Sequence, residues 1–382
     1  MALKGIVDIY DNNVPDKRMV TDRIFNSEPY DIVAYNYLGT DMSKFAFVNK
    51  DEYTYQWLND TFTDRVDTIG ASLTDTVSTT MSITTDNLAQ EGDIWLIESE
   101  QVWVSAISTT TLTITRGFNG STAATHASGV ACTRVGRARV DADDADDSPV
   151  TEVTSATNYT QILQRTINIS RSKLKVNMYG IANLEDYMID KNMKELMMDL
   201  ARIPYYGGAS AGTENSVARS AGGFPAFITN NLTYATATAA TGGTASALTR
   251  DHIDDTLANI FADGGDPKLI LTVPHAQRKI NDMYEGFVET ARSEQLGGIL
   301  IKKLMNPVSG SIIDVVVDRN CRAGQLWILD TSKIAYYPFD PFFYERLAKS
   351  GDYVKGEIVG EYGFVCANDK WHGAVLEFSM TL

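Results

Sequence analysis

Several side chains stand at spacings that chemistry uses. Gly208, Ser210 and Gly212 spell G-x-S-x-G, the turn that presents a nucleophilic serine when a strand precedes it and a helix follows. Here the triplet follows a helical pattern and lies among Gly, Ser and Ala, so it reads as a loop. Asp141, Asp143 and Glu152 match the first, third and twelfth positions of a calcium loop. Ala145, however, replaces the fifth ligand, and Asp146 stands where the tight-turn glycine belongs. A solvated acidic run over 141–147 accounts for these residues better. His126, His252, His275 and His372 show no metal-ligand spacing. No phosphate-binding or dinucleotide fingerprint occurs. The expectation is a protein without catalytic, cofactor-binding or metal residues, and not an enzyme.

Composition narrows the class. The 382 residues are 44% hydrophobic and 10% aromatic, enough for two or three cores and too apolar for disorder. A net charge of -16 argues against a basic groove that displaces counterions from DNA. Asp8 and Asp11 interrupt the first apolar stretch, and no run approaches the roughly 18 apolar residues of a membrane span. Cys132, Cys321 and Cys366 are odd in number and far apart, which fits reduced thiols in a cytoplasm.

The elements that would carry these residues follow from periodicity. The first forty residues read as an arm. Phe45 and Phe47, then Tyr53, Tyr55 and Trp57, alternate as in strands with one apolar face. Residues 61–136 turn Thr-, Ser- and Ala-rich, with short strands expected at 94–97, 102–107 and 112–115 in a small β module. The strongest helix spans 178–203 and would be roughly 35–40 Å long, with Pro204 as its stop. Thr249 caps a second helix that ends at Gly264-Gly265. A buried strand at 268–273, a helix from Pro274, and strands Ile312–Val317 and Gln325–Leu329 complete an α/β region. The tail is strand-rich, with Asn368-Asp369-Lys370 expected as a hairpin loop.

Four ordered blocks resemble the tailed-bacteriophage major capsid proteins with the Hong Kong 97-type fold, in the group that carries a β insertion in its extended loop. One runs from Leu112 through Arg116-Gly117 and Gly120 to His126 and Gly129, after Gly92-Asp93 and 102–104. Another is Asn158-Tyr159-Thr160-Gln161-Ile162 with the long helix. The third is Gly264-Gly265-Asp266-Pro267 with Pro274-His275 and Gln277-Arg278. The last is 347–355 leading into 358–362. Together they cover the chain from about residue 30 onward.

This resemblance implies an α+β subunit. Its N-terminal arm would be 1–40, and its extended loop 41–157, interrupted by a β insertion domain at 66–136. The peripheral domain would hold 158–222, with the spine helix at 178–203. An axial domain would occupy 223–335, and peripheral C-terminal strands 336–382. It further implies self-assembly into hexamers and pentamers of an icosahedral shell enclosing double-stranded DNA, without sequence-specific binding and without a membrane. Scaffolding, portal and decoration proteins would be partners, with assembly in the host cytoplasm and residence in the virion. Lys44 and Lys50 lie near the loop without a matching asparagine partner, so no covalent cross-linking is expected.

A shell subunit acts through its contacts. Phe45, Phe47, Tyr53, Tyr55 and Trp57 are the interface candidates, set against the alternative that about half of them pack within their own hairpin. A tail-tube or decoration protein is the competing assignment, though it would lack the long helix and the α/β region. A secreted carbohydrate-binding or hydrolytic protein would need paired carboxylates in a recognisable motif.

Overall fold

The computed structural model describes residues 30–45, 47, 52–86, 88–141, 152–176, 181–213, 216–235, 246–283, 288–289, 302–349 and 351–379. The expected arm up to residue 29, Lys50 and all of the acidic run except Asp141 lie outside them. The fold is mixed α+β and falls into two compact units, Leu58–Ser155 and the remainder, Met1–Trp57 with Ala156–Leu382. The chain leaves and re-enters the larger unit along strands Thr54–Asn59 and Thr154–Tyr159, which pair. Thr160 N–H donates to Tyr53 O at 2.9 Å and Thr154 Oγ1 to Asn59 O at 3.2 Å, so the two strands run antiparallel.

The smaller unit is a barrel. Its strands lie in the order Val66–Thr68, Ala131–Arg137, Asp93–Ile97, Glu100–Ser108, Thr111–Thr115, Thr80–Ser82, each pair antiparallel. The two outer strands meet through the Ile69–Ile83 bridge. Gly70 N–H donates to Ser82 O at 2.8 Å, and Thr85 N–H to the Asp67 carboxylate at 2.9 Å. Where the outer strands meet, these bonds cover their edges and limit the ladder open to pairing with another chain. Alternation sends Trp95, Ile97, Val102, Val104, Leu112 and Ile114 inward, with Trp95 completely buried. The turns are tighter than the sequence suggested. Two residues join Ile97 to Glu100 and two join Ser108 to Thr111, with Glu98 at φ +52° and Thr109 at φ +57°. Such turns demand positive φ and usually hold Gly or Asn.

In the larger unit a three-stranded antiparallel sheet orders Ile334–Arg346, Tyr353–Cys366 and Gln161–Ser170. A seven-stranded sheet orders Leu232–Tyr234, Gly373–Leu376, Gln325–Leu329, Leu269–Thr272, Ile312–Val317, Lys302–Met305 and Val288–Glu289. Leu269–Thr272 is buried along its whole length, flanked by parallel Ile312–Val317 and antiparallel Gln325–Leu329. A strand covered on both faces reads as a continuous apolar run. Helix Arg250–Ala262 starts with a capping box between Thr249 and His252, and Gly264 follows its end at φ +84°.

The long helix is Leu184–Tyr206, with the Asn183 side chain accepting from Glu185 N–H at 3.0 Å as the N-cap. It begins later than the expected 178, because the capping asparagine lies at 183; residues 178–180 are outside the described set. It also runs through Pro204 instead of stopping there. Tertiary contacts hold this last turn: Tyr205 is buried, donates its hydroxyl to Asp318 Oδ2 at 2.8 Å, and packs edge-on against Phe224. Backbone from residue 223 comes so near that a Cβ on Gly223 would sit 2.3 Å from Ile203 O. Only glycine fits there.

A further expectation is overturned. Asn368-Asp369-Lys370 is not a hairpin loop, because the strands on either side belong to different sheets. Asn368 takes a left-handed conformation and a 3-10 turn, Asp369–Trp371, carries the chain across to Gly373–Leu376. That strand pairs with Gln325–Leu329 and Leu232–Tyr234 and not with Tyr353–Cys366. Burial of Ala374 and Val375 in the larger core favours this over local pairing.

Candidate assembly surface

The five aromatic candidates separate by exposure. Strand Thr54–Asn59 turns Tyr55 and Trp57 into the chain's own interior, each 6% exposed. They pack with Met42, Ala335, Tyr337 and Val365, and Phe45 and Phe47 lie half-buried against the same cluster. The Tyr55 ring centroid is 4.8 Å from that of Tyr337, and Trp57 meets Phe227 edge-on at 5.0 Å. The Tyr55 hydroxyl accepts from Phe364 N–H at 2.7 Å and donates to Phe364 O at 3.0 Å. Burial drives its pKa far above the usual phenol range. Tyr53 differs from the other four: it is 56% exposed, with the Arg219 guanidinium 5.0 Å above its ring.

Asn158 locks this region. It is fully buried, and all its hydrogen-bonding capacity goes to backbone. Its Oδ1 accepts from Gly222 N–H and Tyr159 N–H, both at 2.8 Å. Its Nδ2 donates to Phe364 O at 2.6 Å and Gly222 O at 3.1 Å. Thr160 Oγ1 and Arg219 both bond the Glu361 carboxylate, and Arg219 Nε reaches Thr160 O at 3.1 Å. The Asn158-Tyr159-Thr160 block is therefore a structural node joining the re-entering strand to Tyr353–Cys366.

Apolar side chains without cover lie in the smaller unit. Leu58 sits on the opposite face of its strand from Tyr55 and Trp57 and is 73% exposed, while Phe62 is 98% exposed. Val66, Val135 and Val153 are also more than half exposed. Val66 lies opposite Thr133, and Val135 is the extra residue where the register with Asp93–Ile97 shifts. Single exposed apolar residues are ordinary; Leu58, Phe62 and Val66 fall within nine positions of one another, with Phe62 the most exposed of them.

Inside the barrel, Glu100 is completely buried. Arg116 grips it bidentately, Nε to Oε1 at 2.6 Å and Nη2 to Oε2 at 2.7 Å. His126 Nε2 lies 2.9 Å from Oε2, and the N–H groups of Ala124 and Gly117 add bonds of 3.0 and 3.2 Å. His126 Nδ1 faces Glu98 Oε2 at 3.0 Å. Burial alone would raise the Glu100 carboxyl, but Arg116, Ala124 N–H, His126 and Gly117 N–H outweigh it and hold it at about 2. Both oxygens are saturated by donors of the chain, which makes the cluster a scaffold for the 116–126 loop. The Arg-Gly and His of the capsid-like block thus have one physical purpose. Glu100 itself went unnoticed in the sequence, although its alternation with Val102 and Val104 places it on the inward face.

The remaining chemical candidates are dispersed. Ser210 pairs through its backbone with Ser220 in an isolated antiparallel bridge and is not at a strand-to-helix turn. His252 serves as the N3 partner of the Thr249 cap. His372 bridges two backbone groups.

The family model for the SU10 major capsid protein matches residues 7–378. Among curated proteins none matches. The solved structures that resemble the chain include the capsid of a native GTA particle, 10% identical over 99% of this chain and 100% of the other, with a TM-score of 0.49. The cyanophage A-1(L) capsid is 15% identical over 64% and 85% of the two chains, TM-score 0.47. Microbacterium phage Oxtober96 is 10% identical over 95% of each, TM-score 0.45.

Proposed function

The chain belongs to the SU10 major capsid protein family, and from that premise we propose that it closes into an icosahedral shell as hexamers and pentamers of itself. It is a phage head shell protein, and its role is structural. The match across residues 7–378 carries this reading. Within it, the subunit is of the Hong Kong 97 type. The paired strands Thr54–Asn59 and Thr154–Tyr159 are the base of an extended loop, and the barrel is the insertion in that loop. Leu184–Tyr206 is the spine of a peripheral domain, and the seven-stranded sheet forms most of the axial domain.

The occupant of the exposed apolar surface is a neighbouring copy of this chain. Burying a Phe or Leu side chain that is otherwise in water contributes about 1.5–3 kcal/mol. Phe62 and Leu58 therefore supply useful contact energy per interface, repeated around every ring. Of the five aromatic candidates, Tyr53 has the most free area to join them, because Tyr55 and Trp57 already fill the intrachain cluster. A net charge of -16 suits a wall that holds packed double-stranded DNA without adhering to it. Scaffolding, portal and decoration proteins complete the set of partners. Assembly takes place in the host cytoplasm, and the product resides in the virion.

Negative-stain electron microscopy of the purified chain tests the reading, with shells, partial shells or hexamer-sized rings expected. The double variant Leu58→Ser with Phe62→Ser is expected to keep the wild-type melting temperature within a few degrees while the yield of assembled particles falls at least tenfold. Stacked rings with a narrow bore would instead establish a tail-tube protein. Undiminished assembly of the variant would move the interface elsewhere.

A further inference from the structure

The chain crosses between the two sheets of the larger unit twice in its last third. The first crossover leaves Gln325–Leu329 at Asp330, makes the 3-10 turn Thr331–Lys333 and enters Ile334–Arg346. The second leaves Tyr353–Cys366 at Ala367, passes through Asn368 and Asp369–Trp371, and enters Gly373–Leu376. His372, completely buried, closes the second crossover. Its ring touches both. Nδ1 lies 3.1 Å from Asp330 N, at the start of the first crossover. Nε2 lies 3.1 Å from Ala367 O, at the start of the second.

These partners determine the tautomer. Asp330 N–H can only donate, so Nδ1 must carry a lone pair; Ala367 O can only accept, so Nε2 must carry the proton. The neutral ring thus completes two bonds, and the imidazolium can complete only one. The crossovers are further tied by Ala367 N–H donating to Lys333 O at 2.9 Å, and the Lys333 ammonium lies 5.1 Å from the Trp371 ring centroid.

We propose that His372 is a protonation-sensitive staple at the joint between the two sheets, and that charging its Nδ1 releases the first crossover from the second and loosens the joint while each sheet stays intact. Burial supports this, since loss of water around the ring holds its pKa down to about 4. The carboxylates of Asp330 and Asp369 oppose that depression without overcoming it. Both carboxylates are engaged, Asp330 with Ser332 N–H at 2.9 Å and Asp369 with Asn230 Nδ2 and Lys370 N–H. The other charged groups around the joint also have partners. Asp263, at the end of the neighbouring helix, accepts from Asn231 Nδ2, which also donates to Lys370 O. Lys44 Nζ holds Thr331 O at 3.1 Å. The Cys366 thiol is pushed up by burial and stays uncharged. Among the described residues, His372 is the ionisable group at this joint whose side chain bonds the backbone at the start of both crossovers. The inference does not depend on shell assembly.

The test is hydrogen–deuterium exchange on the full-length protein, read by mass spectrometry at the histidine C2–H and at the amides. Wild type is expected to show a His372 midpoint near 4. Amide protection over 330–333 and 367–372, corrected for intrinsic rates, should fall about tenfold or more below that midpoint, with Leu269–Thr272 and Tyr353–Cys366 still protected. His372→Gln offers one acceptor and one donor but no titration, and should keep its crossover protection over the same range. Equal loss in wild type and variant, a midpoint near the ordinary histidine value, or simultaneous loss through both sheets would overturn the proposal. Should the variant fail to fold, the wild-type midpoint and the locality of its exchange decide the matter alone.

Discussion

The barrel and the larger unit satisfy their most deeply buried polar groups with different partners. The barrel buries an ion pair, Glu100 with Arg116, to which His126 adds a hydrogen bond. At comparable depth the larger unit buries three neutral groups bonded to backbone, the Asn158 amide, the Tyr55 hydroxyl and the His372 imidazole, alongside the Asp318 carboxyl, which accepts from Tyr205 and Ala34 N–H. Size offers a reason for the difference. The barrel has a small apolar interior around Trp95, and small units bury a smaller share of their surface. A charged cluster that organises the 116–126 loop compensates in specificity. The larger unit has a continuous core reaching from Val33 to Phe378 and can rely on packing. An ion cluster is brittle, since removing one member strands the others in low dielectric. A neutral hydrogen bond yields more gradually.

The largest effect expected from this contrast is at Glu100. Glu100→Gln should destabilise the barrel by about 3–5 kcal/mol, by leaving the buried Arg116 without its counter-charge. Limited proteolysis would then cut within 61–137 first, and equal sensitivity of both units would break the comparison.

Acid should separate the two units by window. His372 has a folded pKa of about 4, below its ordinary value of 6.5, so the stability it contributes is full above 6.5 and is lost as pH falls towards 4. Glu100 falls from 4.5 to about 2, so its contribution is full above 4.5 and is lost as pH falls towards 2. Each difference corresponds to about 3 kcal/mol. Urea unfolding monitored by exchange at several pH values should show the larger unit weakening first on acidification. The reverse order would contradict the assignment of neutral and charged cores.

Smaller effects sharpen the contrast. Tyr55→Phe leaves the Phe364 N–H without its acceptor and should cost about 1–3 kcal/mol, seen as a lower denaturation midpoint with the barrel unaffected. Thr249→Ala removes a helix cap and should cost about 1 kcal/mol. A loss above that for Tyr55→Phe would mean that the neutral node is as brittle as the ionic one.

Much of the fold was legible where a local rule had no competitor. Ile312–Val317 and Gln325–Leu329 appear with the expected bounds because buried strands are bounded apolar runs. The Thr249 cap and the stop at Gly264 are likewise local chemistry. The turns at Glu98 and Thr109 were not legible, because residues that disfavour positive φ are held there by strand pairing on both sides. Pro204 misled as a stop because Tyr205 and Asp318, distant in sequence, secure the turn beyond it. At the candidate surface, alternation showed that Tyr55 and Trp57 share a face with each other but not what covers that face. Phe62 carries no periodic signal at all.

By itself the sequence determined which segments are strands or helices, where they are capped, which faces are apolar, and the ordered blocks that resemble a capsid subunit. Those properties depend on residues within a few positions of one another, through side-chain direction and backbone preference. Tertiary structure alone decided that the barrel closes, that Arg116 and His126 converge on Glu100, and that Gly373–Leu376 joins the seven-stranded sheet. It also decided that Tyr55 and Trp57 pack inward while Leu58 and Phe62 remain uncovered. Those outcomes depend on which distant surface removes the most apolar area from water while leaving few buried polar groups unpaired, a competition among all segments at once.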